Sequence, residues 1–200
     1  MKEMRSHKLM TQAKQRFLSF EEYLSFDDGT DYLYELFNGE LIQVPPESGF
    51  NVGIAAFLFA AFLPIVGHLR VRPSNLEIEV RGEPRNRFPD LTIIREEHIK
   101  LLQNRNTIRL AMAPPVLVIE IVSPGEIQRD RDYIAKRGQY ENRGIPEYWI
   151  IDPEQQMITV LALDNAQYVE VGQFRDSDAI VSPTFLEFTL TAAEILASGG

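Results

Sequence analysis

The chain has 200 residues, 44% of them hydrophobic and 24% charged, the balance of an ordinary globular domain with one sizeable core. A formal net charge of −9 and a pI near 4.9 exclude a protein that coats nucleic acid by bulk charge, leaving only a local basic strip for such a partner. The absence of cysteine excludes a disulfide framework, a thiolate metal site and a thiol nucleophile, and fits a cytoplasmic protein.

Residues 1–16 read as a polar tail, since Met1 to Gln15 has no apolar core of the signal-peptide kind. Ser19-Phe20-Glu21-Glu22 is a capping box and predicts a short helix through Leu24, closed by Asp27-Asp28-Gly29. Tyr32 to Phe37 and Glu40 to Val44 read as strands of a hairpin that turns at Asn38-Gly39. Pro45-Pro46 stops the second strand. Phe50 to Val66 is apolar almost all round, which predicts a buried helix. The run from Val52 to Val66 is shorter than a membrane span and holds Gly53 and Pro64, so no membrane partner is expected. Leu69 to Val71 and Leu76 to Val80 are short strand candidates. In the second, Glu77 and Glu79 alternate with Ile78 and Val80, as on a half-exposed strand.

A strand from Asp90 to Ile94 and a helical piece from Glu96 to Gln103 follow. Pro114-Pro115 then leads into the β-branched run Val116 to Ser123. The charged segment Asp130 to Arg143 predicts a helix, ended by Gly144 and Pro146. Glu147 to Asp152, Met157 to Leu163, Tyr168 to Val171 and Ala179 to Val181 look like strands. Thr191-Ala192-Ala193-Glu194 caps a last helix before a tail over 198–200. The irregular mixture predicts one α/β (α+β) domain over 17–197 with a mixed central sheet.

Two carboxylates interrupt apolar strand-length runs: Asp90 in Phe-Pro-Asp-Leu-Thr-Ile-Ile and Glu120 in Val-Leu-Val-Ile-Glu-Ile-Val. A lone ionised carboxylate in a buried strand needs a metal, a cation or strong donors. Asp90 could cap a turn and Glu120 could pair with an arginine. On neighbouring strands the two could instead hold one divalent cation, Mg²⁺ or Mn²⁺, through oxygen ligands. Basic strips flank them, with Arg87 before Asp90 and Arg129, Arg131 and Arg137 after Glu120, as candidate nucleic-acid contacts. His7, His68 and His98 have no ligand spacing, and there is no glycine-rich phosphate loop or serine-hydrolase elbow.

The order Pro89-Asp90, then Ile-Glu120-Ile-Val-Ser-Pro, then Gly144-Ile-Pro-Glu-Tyr-Trp-Ile-Ile-Asp-Pro resembles the Uma-two family of the PD-(D/E)XK nuclease superfamily. The likeness runs from about Phe17 to Leu196. It implies a restriction-endonuclease-like core, helices flanking the sheet, a metal-dependent endonuclease acting on DNA, and a homodimer. In that superfamily a catalytic lysine stands two residues after the second acid. Here that position is Val122, and the resemblance offers Lys136 on the following helix instead. It also offers Glu35, in Tyr34-Glu35-Leu36, as a further acidic ligand, with Glu47 and Glu79 behind it. Tyr140, one turn after Lys136, could buttress it. The missing lysine at Val122 keeps a second reading open: a binding or scaffold protein with the nuclease fold and no catalysis.

Overall fold

The structure is a computed structural model that describes residues 16, 17 and 19–200. Apart from Arg16, the expected N-terminal tail therefore lies outside the described residues. Helix α1, Phe20–Leu24, starts as the capping box requires. Ser19 Oγ accepts from the Glu22 amide at 3.1 Å, and Glu22 Oε2 accepts from the Ser19 amide at 3.2 Å. Strands β1 (Tyr34–Phe37) and β2 (Glu40–Gln43) form the hairpin, with Asn38 and Gly39 both at positive φ, as a two-residue turn of this hand demands.

Helix α2, Gly49–Val66, opens on a Ser48 cap. At 18 residues it is long and apolar enough to cross a membrane by length and composition alone. Only one edge is buried: Asn51, Ile54, Leu58 and Phe62, spaced three or four apart, face the sheet. The all-round apolar pattern thus overstated the burial, because the opposite face carries exposed Phe50, Val52 and Ala56.

The remaining strands are β3 (Val71–Pro73), β4 (Glu77–Glu79), β5 (Asn86–Arg87), β6 (Leu91–Ile93), β7 (Thr107–Ile108), β8 (Leu117–Ile121), β9 (Glu147–Asp152), β10 (Met157–Asp164) and β11 (Gln167–Phe174). A six-stranded sheet runs β11-β10-β9-β8-β6-β3, and a second sheet runs β5-β4-β7. The large sheet is mixed: β8 and β9 are parallel and its other pairs antiparallel. Helix α3 is Glu96–Leu101. A broken helix follows β8, made of α4 (Glu126–Asp130), a π-helical segment (Arg131–Lys136) and α5 (Arg137–Arg143). Helix α6, Ala192–Ala197, comes last.

Other expectations change as well. The first strand after α2 lies two residues later than expected. Ala179 makes only a single bridge, to Thr191. Strand β4 is buried throughout rather than half-exposed. Its glutamates are tolerable there because they are paired: Glu77 accepts from Asn86 and Thr107, both at 2.6 Å, and Glu79 from Arg109 at 2.7 Å.

Alternation assigns the two faces of the large sheet. Leu117, Ile119, Ile121, Trp149 and Ile151 join α2 and α6 in the main core, where Phe62 stacks on Phe188 at 4.9 Å. Val118, Val122, Tyr148 and Ile150 face Tyr140 and Ile145 in a second core. Parallel strands need a long crossover, and the α4–α5 stretch between β8 and β9 supplies it. The crossover lays that helix over the face to which Glu120 belongs. Its end is the expected left-handed cap, with Gly144 at φ 78°.

Candidate active site

Asp90 immediately precedes β6. Leu91 pairs with Ile119, so the register carried one step further sets Asp90 opposite Glu120. Opposed residues of an antiparallel pair project to the same face, which puts both carboxylates on one side of the sheet. Asp90 is 7% exposed and its Oδ2 accepts from the Ile121 amide at 2.6 Å.

Glu120 is 1% exposed and both its oxygens are engaged. Lys136 Nζ lies 2.8 Å from Oε2, and the Tyr140 hydroxyl donates to Oε1 at 2.5 Å. Lys136 Nζ is also 2.8 Å from Asp132 Oδ1. Asp132, Lys136 and Tyr140 are spaced by four and so share one stripe of the helix. The π-helical segment that carries the first two belongs to a class of irregularity frequent at functional sites. The Tyr148 hydroxyl donates to the Asp132 carbonyl at 3.0 Å and so holds this turn to the sheet.

The charges here do not cancel. Asp90, Glu120 and Asp132 face Lys136 and Arg131, whose Nε is 3.4 Å from Asp132 Oδ1, leaving one negative charge over. Burial, then the charge of Glu120, pushes the Asp90 carboxyl well above the usual carboxylate range, against the pull of Lys136. Burial alone would lower Lys136, but Glu120 and Asp132 outweigh it, so its pKa is raised and the ammonium is kept. Asp132 Oδ2 is buried with no hydrogen-bond partner among the described residues. Such a cluster has two ways to relieve its excess: a proton on Asp90, or a bound cation. Two carboxylates suffice for Mg²⁺ or Mn²⁺, which keep open positions for water and phosphate, so the residues present fit such an ion.

Glu35 is not brought in as a ligand. Both its oxygens lie 3.1 Å from Arg87 Nη1, and among the described residues no three acidic, histidine or cysteine side chains converge as a ready metal cluster. The same pairing corrects Arg87. It is 3% exposed, bonded to Gln139 Oε1 at 2.7 Å as well as to Glu35, and so is not presented to a phosphate. The acid beside Asp90 is Glu47, which lines the same groove and adds to the upward push on the Asp90 carboxyl. Glu47 Oε2 accepts from Asn51 Nδ2 at 3.2 Å, and that amide also reaches the Ile121 carbonyl at 3.3 Å.

Among the other basic candidates, Arg131 borders the carboxylates with a side chain 35% exposed. Arg129 stands 3.8 Å from Asp152 and is 38% exposed, and Arg137 donates to the Tyr168 carbonyl at 3.3 Å. Arg72 on β3 sits opposite Thr92, hence on the carboxylate face, with its Nε buried and unbonded among the described residues. Nothing in the sequence singles out Arg72, whose place on this face is set by the pairing of β3 with β6. Asp132 was missed, although it stands four residues before Lys136, a spacing at which opposite charges meet on a helix.

A family model described as "Putative restriction endonuclease", Uma2, matches residues 20–193. The chain belongs to this family. No curated protein matches its sequence. Among solved structures, a protein of Anabaena variabilis described as a "putative nuclease belonging to DUF820" is similar in fold, with a TM-score of 0.67 at 19% identity. The alignment covers 92% of this chain and 99% of that one. This Uma2 chain therefore has a nuclease-type fold, and Asp90, Glu120 and Lys136 lie within the matched span.

Proposed function

We propose that the chain is a metal-dependent endonuclease that hydrolyses phosphodiester bonds of nucleic acid, with DNA as the favoured substrate. One observation carries this reading: Asp90 and Glu120 share one face of the sheet with Lys136 beside them and negative charge in excess. Asp90 and Glu120 would hold the cation, and Glu47, which lines the same groove, adds negative charge beside it. A bound Mg²⁺ or Mn²⁺ supplies Lewis acidity toward a phosphate oxygen and acidifies a bound water. Lys136 offers an ammonium to the incoming phosphate or water, and Asp132 keeps that ammonium tethered when it turns from Glu120. Tyr140 fixes the Glu120 carboxylate by its hydroxyl. Arg131 and Arg72 are the guanidiniums on this face suited to clamp the backbone.

Cleavage of plasmid, single-stranded DNA and RNA with Mg²⁺ and with Mn²⁺ tests the reading. Wild type is expected to cut at least one of them, and Asp90→Asn to lose at least about 100-fold in rate, about 2.7 kcal/mol of barrier. The scaffold alternative draws on one observation: both Glu120 oxygens are already occupied from within the chain. Its signature is wild-type protein that neither cuts nor gains melting temperature from Mn²⁺.

A further inference from the structure

A groove of about 310 Å³ lies against α2, with Glu47 and Asp90 among its lining residues and Pro73 and Ser74 on its other bank. Its walls are Val52, Ala55, Ala56, Phe59 and Pro73, and among the described residues no lysine or arginine lines it. Val52 is 54% exposed, so apolar surface stands open beside the carboxylates. Beyond Asp90, which the proposed cation would neutralise, the apolar walls offer a phosphate no counter-charge. A nucleobase is neutral and flat, and apolar walls with one aromatic ring suit it. The volume is at the small end for ligand sites, room for about one base with its sugar and far too little for a duplex.

We propose that this groove seats one unstacked nucleobase of the strand whose phosphate is placed at Asp90 and Glu120, so that the preferred substrate is single-stranded or locally opened. The proposal rests on the nuclease reading of that site. A paired base has both faces stacked and its edge occupied, so it cannot enter without being extruded from the helix. Asn51, bonded between Glu47 and the Ile121 carbonyl, joins the groove to the strand that carries Glu120.

Binding to oligonucleotides carrying 2-aminopurine, with Ca²⁺ replacing Mg²⁺, tests this without turnover. Wild type is expected to bind the single strand at least about 10-fold tighter than the duplex, in line with one base-stacking contact, and to change the 2-aminopurine emission. Ala56→Leu lengthens an exposed groove residue. It is expected to weaken single-strand binding about 10-fold while leaving duplex affinity and melting temperature unchanged. Equal affinity for both forms, or indifference to Ala56→Leu, overturns the groove assignment and leaves the nuclease reading standing. A loss of dimer mass in Ala56→Leu also overturns it, assigning the face to a second copy. Failure to bind any oligonucleotide overturns both readings.

Discussion

At the scale of the residue, Lys136 is the side chain whose behaviour separates a catalytic site from a structural ion pair. Its ammonium is held 2.8 Å from both Glu120 and Asp132, so it stands where a divalent cation would compete for Glu120. Lys136→Met removes that competitor and leaves two buried carboxylates without their counter-charge. Metal-free variant is expected to lose about 3–5 kcal/mol in urea unfolding, as broken buried pairs do. Calorimetric titration should then find Mn²⁺ bound at least about 10-fold tighter than by wild type, while cleavage falls. Weaker Mn²⁺ binding would show that the lysine assists the ion rather than displacing it. Tyr140→Phe is the milder counterpart, deleting one hydroxyl bond to a carboxylate at a cost of about 1.5–3 kcal/mol. Asp90 and Glu120 were legible in the sequence because an acid in an apolar β-branched run has few bland explanations. Glu35 and Arg87 were not, since they meet across 52 positions and nothing local marks either as the other's partner.

At the scale of the element, what was readable is what is decided locally. The capping boxes at Ser19 and Thr191, the Asn38-Gly39 hairpin and the Gly144 cap each arise within a few residues, and each is present. Strands β5 and β7 have two residues apiece and exist only because β4 lies between them, a tertiary fact with no periodic signature. The π-helical segment is likewise silent in the sequence, since its composition suits an ordinary helix. Helix α3 yields a pH prediction. His98 Nδ1 accepts from the Arg95 amide at 3.3 Å, and with the proton on Nε2 the ring donates to the Ala113 carbonyl at 3.0 Å, so the neutral ring satisfies both contacts. Burial lowers its pKa below the ordinary histidine value. The folded state thus resists a proton that the unfolded chain accepts. The His98 contribution is complete above about pH 6.5 and is lost as pH falls below that value toward the depressed folded one. Urea unfolding between pH 8 and pH 5 is expected to lose less stability in His98→Gln than in wild type. Parallel pH profiles would exclude His98 as the source.

At the scale of the whole molecule, the six-stranded sheet ends on two edges, and their difference bears on how the chain assembles. Strand β3 has three residues and ends in Pro73, which offers no amide to a further strand. Strand β11 has eight residues, and only its first part is shielded: Glu141 accepts from the Tyr168 amide at 2.6 Å and Arg137 donates to the Tyr168 carbonyl at 3.3 Å. From Glu170 to Phe174 the outer edge has no neighbouring strand among the described residues. An open edge invites a second strand, and two-fold pairing is the commonest closed arrangement. The chain is therefore expected to form a homodimer through β11, and light scattering at micromolar concentration should return twice the 22.9 kDa chain mass. Glu170→Pro should return the single-chain mass, because Glu170, two residues on from the outward-facing Tyr168 amide and before the bulge at Val171, turns its own amide to the outer edge, and proline there removes it. A wild-type mass of one chain would remove the dimer and leave each carboxylate site to act on one strand at a time. A dimer that survives Glu170→Pro would keep the two-fold pairing but move it to another face.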